Sequence, residues 1–214
     1  MHKKQFGNNQ LYSAFQPIYS FSNQACIGVE ALIRANSATT GEPISVNECL
    51  KAPDTLSKSE FVGELNKLHL LNWTQRECSE DWIFLNFDFH NITNIDDISL
   101  SSLIAEFGIT GRKIVVEVVE SEIKDEAVFE GVIDVFRALG CLIALDDFGA
   151  GHSNIDRIWK AQPDIVKLDR QILLEATKNF RSESILRNLT RLIQQSGSIA
   201  LLEGIETKEQ ALLA

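Results

Sequence analysis

Five carboxylates and one amide stand in this 214-residue sequence directly after short apolar runs. Trp82-Ile83-Phe84-Leu85 leads into Asn86, and Ile114-Val115-Val116 leads into Glu117. Leu142-Ile143-Ala144-Leu145 leads into Asp146 and Asp147, and Ile199-Ala200-Leu201-Leu202 leads into Glu203, while Glu30 closes the run Cys26-Ile27-Gly28-Val29. Lys167, after Ile165-Val166, is the one cation in the pattern, and Glu206 follows one turn beyond Glu203. A single polar strand end is ordinary packing; the repetition is what points to a site. Carboxylates gathered in one cleft repel unless cations lie between them. The donors are carboxylate and amide oxygens without histidine or cysteine, which favours magnesium or manganese over zinc. The Asp146-Asp147 pair could bridge or flank two ions, and two ions roughly 3.5–4 Å apart suit phosphodiester hydrolysis. Arg34 is a candidate ligand for phosphate oxygens, and Gly149 and Gly151 suggest a loop that turns tightly or approaches a ligand.

Such residues need elements that deliver them to one rim. Continuous apolar runs are what parallel strands buried on both faces look like. Between them lie segments with helical period: Phe61, Leu65, Leu68 and Leu71; Val128, Val132, Val135, Phe136 and Leu139; Ile185, Leu189, Leu192 and Ile193. Gly140 and Gly197 sit where helices end, and Thr207 with Gln210 can form a capping box. Repeated strand–helix units predict a parallel α/β fold, and a barrel would gather strand-end side chains at one face. The start differs. Phe15-Gln16-Pro17-Ile18-Tyr19 and the strand ending at Glu30 are separated only by Ser20 to Ala25, so the first strand should run antiparallel to the second. Seven strands are expected, and the sequence reaches Ala214 inside the helix that would precede an eighth. The expectation is a TIM-like (β/α)8 barrel with an antiparallel first strand and its eighth strand missing, formed by residues 11–214 after a tail of residues 1–10.

Composition narrows the class. With 44% hydrophobic and 23% charged residues the chain can build a core. A net charge of −10 argues against binding a DNA or RNA polymer through a basic face. No apolar run approaches the ~18 residues of a membrane span, and the polar start after Met1-His2-Lys3-Lys4 lacks the apolar centre of a secretion signal. The spacing of Cys26, Cys49, Cys78 and Cys141 fits neither a zinc site nor a small disulfide framework, which suits a reducing cytoplasm.

The motifs resemble those of the EAL-domain cyclic-di-GMP phosphodiesterases. Glu30-Ala31-Leu32-Ile33-Arg34 matches the motif that names the family, and Gln16-Pro17-Ile18 is similar to its first strand. Asn86 matches the asparagine of its third strand, and Glu117-Val118-Val119-Glu120 resembles E-x-T-E. Asp146-Asp147-Phe148-Gly149 is identical to D-D-F-G; Lys167-Leu168-Asp169 and Glu203-Gly204-Ile205-Glu206-Thr207 are similar to K-x-D and E-G-V-E-T. The resemblance runs in order from about Phe15 to the last residue. It implies bacterial second-messenger signalling: hydrolysis of cyclic di-GMP to linear pGpG by two Mg2+ or Mn2+ ions. Glu30, Asn86, Glu117 and Asp146 would hold the first ion; Asp146, Asp147 and Glu203 the second. Lys167 would orient the attacking water, with Glu203 helping to deprotonate it and Glu206 supporting or joining the catalysis. Gln16, the Leu32 backbone and Arg34 would contact the dinucleotide. Glu120 would steady the loop from Phe148 to Ser153, which in the family couples metal binding to homodimer formation.

Departures from the pattern are local. Ala35 stands where an aromatic residue is usual, Phe87-Asp88 follows Asn86 where N-x-S is common, and Ala150 and His152 replace threonine and tyrosine. None removes a metal ligand. The absent glutamine motif of the eighth strand leaves a second reading open, a non-catalytic module that binds cyclic di-GMP or a protein partner.

Overall fold

The expected hairpin forms and is longer than its sequence signal. In the computed structural model β2 spans Asn9–Ser20 and β3 spans Ala25–Ser37, paired antiparallel along their length with Gln16 opposite Glu30. Strand β1 (Lys3–Phe6) pairs antiparallel with β2, and the two-residue β4 (Pro43–Ile44) pairs with β3. The structure describes residues 1–76, 81–87, 100–119, 126–150 and 156–214. Cys78, Glu120 and the part of the loop from residue 151 to 153 lie outside the described residues.

Two compact units are present. The first comprises Met1–Val115 with Leu139–Cys141. In it the strand order is β1-β2-β3-β5, where β5 (Trp82–Asn86) lies parallel to β3. Helix α1 (Val46–Cys49) follows β4, and helix α2 (Lys58–Thr74) opens on a capping box in which Ser57 and Glu60 satisfy each other's backbone N–H groups. Helix α3 (Leu100–Phe107) packs against α2. Phe61, Leu65 and Leu68, the stripe read from the sequence, join Leu11, Ile33 and Ala35 in a core.

The second unit comprises Val116–Ala138 and Leu142–Ala214. Its strand order is β6 (Ile114–Val119, in this unit from Val116 on), β7 (Leu142–Phe148), β8 (Ile165–Leu168), β9 (Ile199–Leu202), with β7, β8 and β9 parallel. Helices α4 (Glu126–Ala138), α5 (Asp156–Ala161), α6 (Arg170–Ala176), α7 (Phe180–Gln195) and α8 (Lys208–Leu213) connect or follow these strands. The Thr207–Gln210 capping box forms as expected, and Gly140 and Gly197 adopt the left-handed φ of helix ends. Every residue of β8 is buried, the apolar run Ile165-Val166 and Lys167 alike.

Two helical stripes are turned from their sequence reading. On α4 the buried face is Phe129, Val132, Ile133 and Phe136. On α7 the buried residues are Leu186 and Ile193, whereas Ile185 and Leu192 are 60% and 43% exposed. Apolar residues on α7 cover more than one face, so periodicity alone could not say which faces the sheet. The seven expected strands correspond to β2, β3 and β5 to β9; β1 and β4 are short edge strands with no long apolar run to announce them.

Candidate active site

The motif strand β3 shows how an alternating pattern separates core from chemistry. Val29, Ala31, Ile33 and Ala35 are buried at 1%, 3%, 7% and 2% exposure, so Glu30, Leu32 and Arg34 share the opposite face. Gln16 lies directly across from Glu30 and therefore on the same side of the sheet. Asn86, the last residue of β5, donates its Nδ2–H to Glu30 Oε1 at 3.3 Å. Arg34 donates from Nη1 to the Ile33 carbonyl at 2.8 Å. In the first unit, therefore, Gln16, Glu30 and Asn86 are brought together, with Leu32 and Arg34 further along the same strand face.

The second unit holds the charged cluster. Lys167, at 2% exposure, places Nζ 2.5 Å from Glu117 Oε1, 2.8 Å from Asp146 Oδ1 and 2.9 Å from Glu203 Oε1. Each comes from a different strand or its end: Glu117 from β6, Asp146 from β7, Lys167 from β8 and Glu203 just after β9. Three carboxylates face one ammonium, so the cluster retains excess negative charge that a buried site must balance. Asp146, Asp147 and Glu203 can also bring one oxygen each within 4.8 Å of one another. These hard oxygen donors and the charge excess fit a divalent cation such as magnesium or manganese.

The Asp-Asp doublet depends on an irregular backbone. Adjacent residues of a regular strand point to opposite faces. Here the register of β7 against β8 shifts between Leu145 and Phe148, and Asp147 has a φ of 54°, in the left-handed region. With that distortion the two consecutive carboxylates are grouped together with Glu203. Asp147 also donates its backbone N–H to Asp146 Oδ1 at 3.0 Å, and its carbonyl accepts from Ala150 N–H at 3.0 Å. Non-glycine residues in this conformation cost about 1–3 kcal/mol and cluster at functional sites. Gly149 follows with a φ of 102°, and a Cβ there would lie 2.1 Å from Ile172 Cδ1, so the turn requires glycine. The doublet was visible in the sequence; its bulge was not.

Glu206 is not among those three grouped carboxylates. It meets Arg170 instead, through two contacts of 3.0 and 3.1 Å. Nothing in the sequence had singled out Arg170.

Comparison with known proteins agrees with this architecture. The EAL domain family model matches residues 2–214. The cyclic di-GMP phosphodiesterase RocR of Pseudomonas aeruginosa is 30% identical over 221 aligned residues, covering 95% of this chain and 53% of RocR. The Bacillus subtilis YkuI protein, with an EAL domain and in complex with cyclic di-GMP and calcium, superposes with a TM-score of 0.77 at 26% identity, over 95% of this chain and 51% of that one. The Klebsiella pneumoniae BlrP1 manganese and cyclic-di-GMP complex gives a TM-score of 0.82 at 23% identity, over 99% of this chain and 54% of that one, a likeness of fold. The chain spans roughly a quarter to a half of the length of the first curated relatives it matches. Among the described residues no helix is long and apolar enough to cross a membrane. With strand-end acids on a mostly parallel sheet, an α/β fold of the TIM-like class and a family match along nearly its whole length, this chain belongs to the EAL-domain family.

Proposed function

We propose that the chain hydrolyses one 3′–5′ phosphodiester of cyclic di-GMP to linear pGpG with the help of two divalent cations, Mg2+ or Mn2+. The observation that carries this reading is Lys167 buried against Glu117, Asp146 and Glu203, with Asp147 completing a three-carboxylate group. Asp146, Asp147 and Glu203 would hold one ion. By the motif resemblance, Glu30, Asn86, Glu117 and Asp146 would hold the other. When bound, such ions stabilise charge on the phosphoryl oxygens and acidify water.

The chain's own side chains do the rest. Lys167 is held at the strand ends by its carboxylate contacts; its ammonium would orient the attacking water when those carboxylates turn to the ions. Glu203 keeps 26% side-chain exposure, which leaves its carboxylate able to accept a proton from that water. Arg34 supplies a planar fork for a phosphate, and Gln16 and the Leu32 backbone supply further polar contacts to the dinucleotide. Names carried by relatives support the substrate: RocR is a cyclic di-GMP phosphodiesterase, and YkuI is complexed with cyclic di-GMP.

The test is to incubate the purified chain with cyclic di-GMP and Mn2+ or Mg2+ and to follow pGpG by chromatography, with and without chelator. Product that requires the metal supports the reading. Nucleotide binding by folded protein without any product would instead support a non-catalytic binding module.

A further inference from the structure

Arg170 connects two loops that follow neighbouring strands. Asp169, after β8, caps α6 by accepting the Gln171 N–H at 2.8 Å, which places Arg170 in the helix's first position. From there its guanidinium meets the Glu206 carboxylate fork to fork, Nη1 to Oε1 at 3.0 Å and Nη2 to Oε2 at 3.1 Å. The aliphatic stem of Arg170 crosses Gly204 on the way. Gly204 has a φ of 69°, and a Cβ there would lie 2.4 Å from Arg170 Cγ and 2.8 Å from its Cβ and Cδ. A side chain at position 204 would be strained and would push the arm away.

The turn from Glu203 to Glu206 is also held at its ends. Glu203 N–H donates to the Leu168 carbonyl at 3.1 Å, and Glu206 N–H donates to Gln210 Oε1 at 2.7 Å. The Arg170 and Glu206 side chains are 48% and 59% exposed, so the pair adds little as an ion pair in water. Its value is geometric: a two-pronged grip on a turn whose first residue carries a carboxylate grouped with Asp146 and Asp147.

We propose that Arg170 is a positioning residue: by gripping Glu206 across Gly204 it fixes the turn that aims Glu203 at Asp146 and Asp147. This rests on the metal-dependent reading above. The experiment compares the wild type with Arg170→Met, Arg170→Lys, Glu206→Gln and the Arg170→Met/Glu206→Gln double variant. Calorimetric Mn2+ titration is read beside kcat and KM for cyclic di-GMP. Arg170→Met and Glu206→Gln should each weaken Mn2+ binding about tenfold and lower kcat about tenfold, with KM changed less than about twofold. The double variant should lose no more than either single one, because both remove the same grip. Arg170→Lys should recover only part, since lysine offers a point charge in place of a fork.

A purely stabilising pair would move the melting temperature and leave Mn2+ affinity and kcat alone. That result, or additive losses in the double variant, overturns the proposal. If the wild type binds Mn2+ but makes no pGpG, the phosphodiesterase reading fails and the Mn2+ affinities still decide the role of Arg170. A wild type that binds no Mn2+ overturns both.

Discussion

In the first unit Ser13, His69 and Asn72 are buried together without a formal charge; in the second, Lys167 is buried with three carboxylates. His69 Nδ1 lies 3.0 Å from Ser13 Oγ, Asn72 Nδ2 donates to Ser13 Oγ at 3.1 Å, and Asn72 also holds the backbone of His2 through its carbonyl and its N–H. The neutral cluster ties the N-terminal residues and β2 to α2. The charged cluster has more anions than cations and sits at successive strand ends. The neutral groups are hydrogen-bonded to one another, whereas Lys167 is ion-paired to its carboxylates. What marks the second as a candidate site is unbalanced charge on neighbouring strand ends, not polarity in the interior.

The comparison breaks most visibly at Lys167. With water rather than the dinucleotide as its proposed target, Lys167→Ala should lower kcat about a thousandfold while changing nucleotide affinity only about threefold. Rate assays beside equilibrium binding of cyclic di-GMP check this, with circular dichroism to confirm folding. Equal losses in both would move Lys167 to a ligand-binding role.

The neutral cluster should answer to pH in stability alone. Burial lowers the His69 pKa from 6.5 to about 4. The unfolded chain therefore binds more protons than the folded one between these values. Stability should fall as pH drops from 6.5 to 4, by about 3 kcal/mol at the lower end. Urea titrations across that window should show the fall in the wild type and a shallower one in His69→Gln. An unchanged slope would contradict the assignment.

Asn72→Ala should have the smallest effect, a destabilisation of about 2 kcal/mol from the lost bonds to Ser13 and to the His2 backbone. Turnover per folded molecule should stay at the wild-type level. A kcat loss in this variant would mean that the two clusters do not divide between stability and chemistry.

The strand pattern was legible because a run of apolar residues leads into a polar one; β5, from Trp82 to Asn86, shows this in full. The antiparallel hairpin was legible because six residues cannot hold a crossover helix. Alternation along β3 explains why Glu30 and Arg34 leave the core while Ala31 and Ile33 enter it. Other features were hidden for physical reasons. On α7, Ile185 and Leu192 mimic a core face, and only packing shows that Leu186 and Ile193 are the buried ones. The left-handed Asp147 is set by a bulge that depends on the neighbouring strand. Arg170 meets Glu206 across 36 residues of sequence, and no local signal encodes that meeting.

The central claim, that these strand-end acids serve metal-dependent hydrolysis, is tested most directly by one paired assay. Wild type and Glu30→Ala would be incubated with cyclic di-GMP and Mn2+, and pGpG followed over time. The account predicts pGpG from the wild type, abolished by chelator and reduced at least about a thousandfold in Glu30→Ala, the scale of several kcal/mol of lost metal stabilisation. Equal pGpG formation by folded wild type and Glu30→Ala would contradict it.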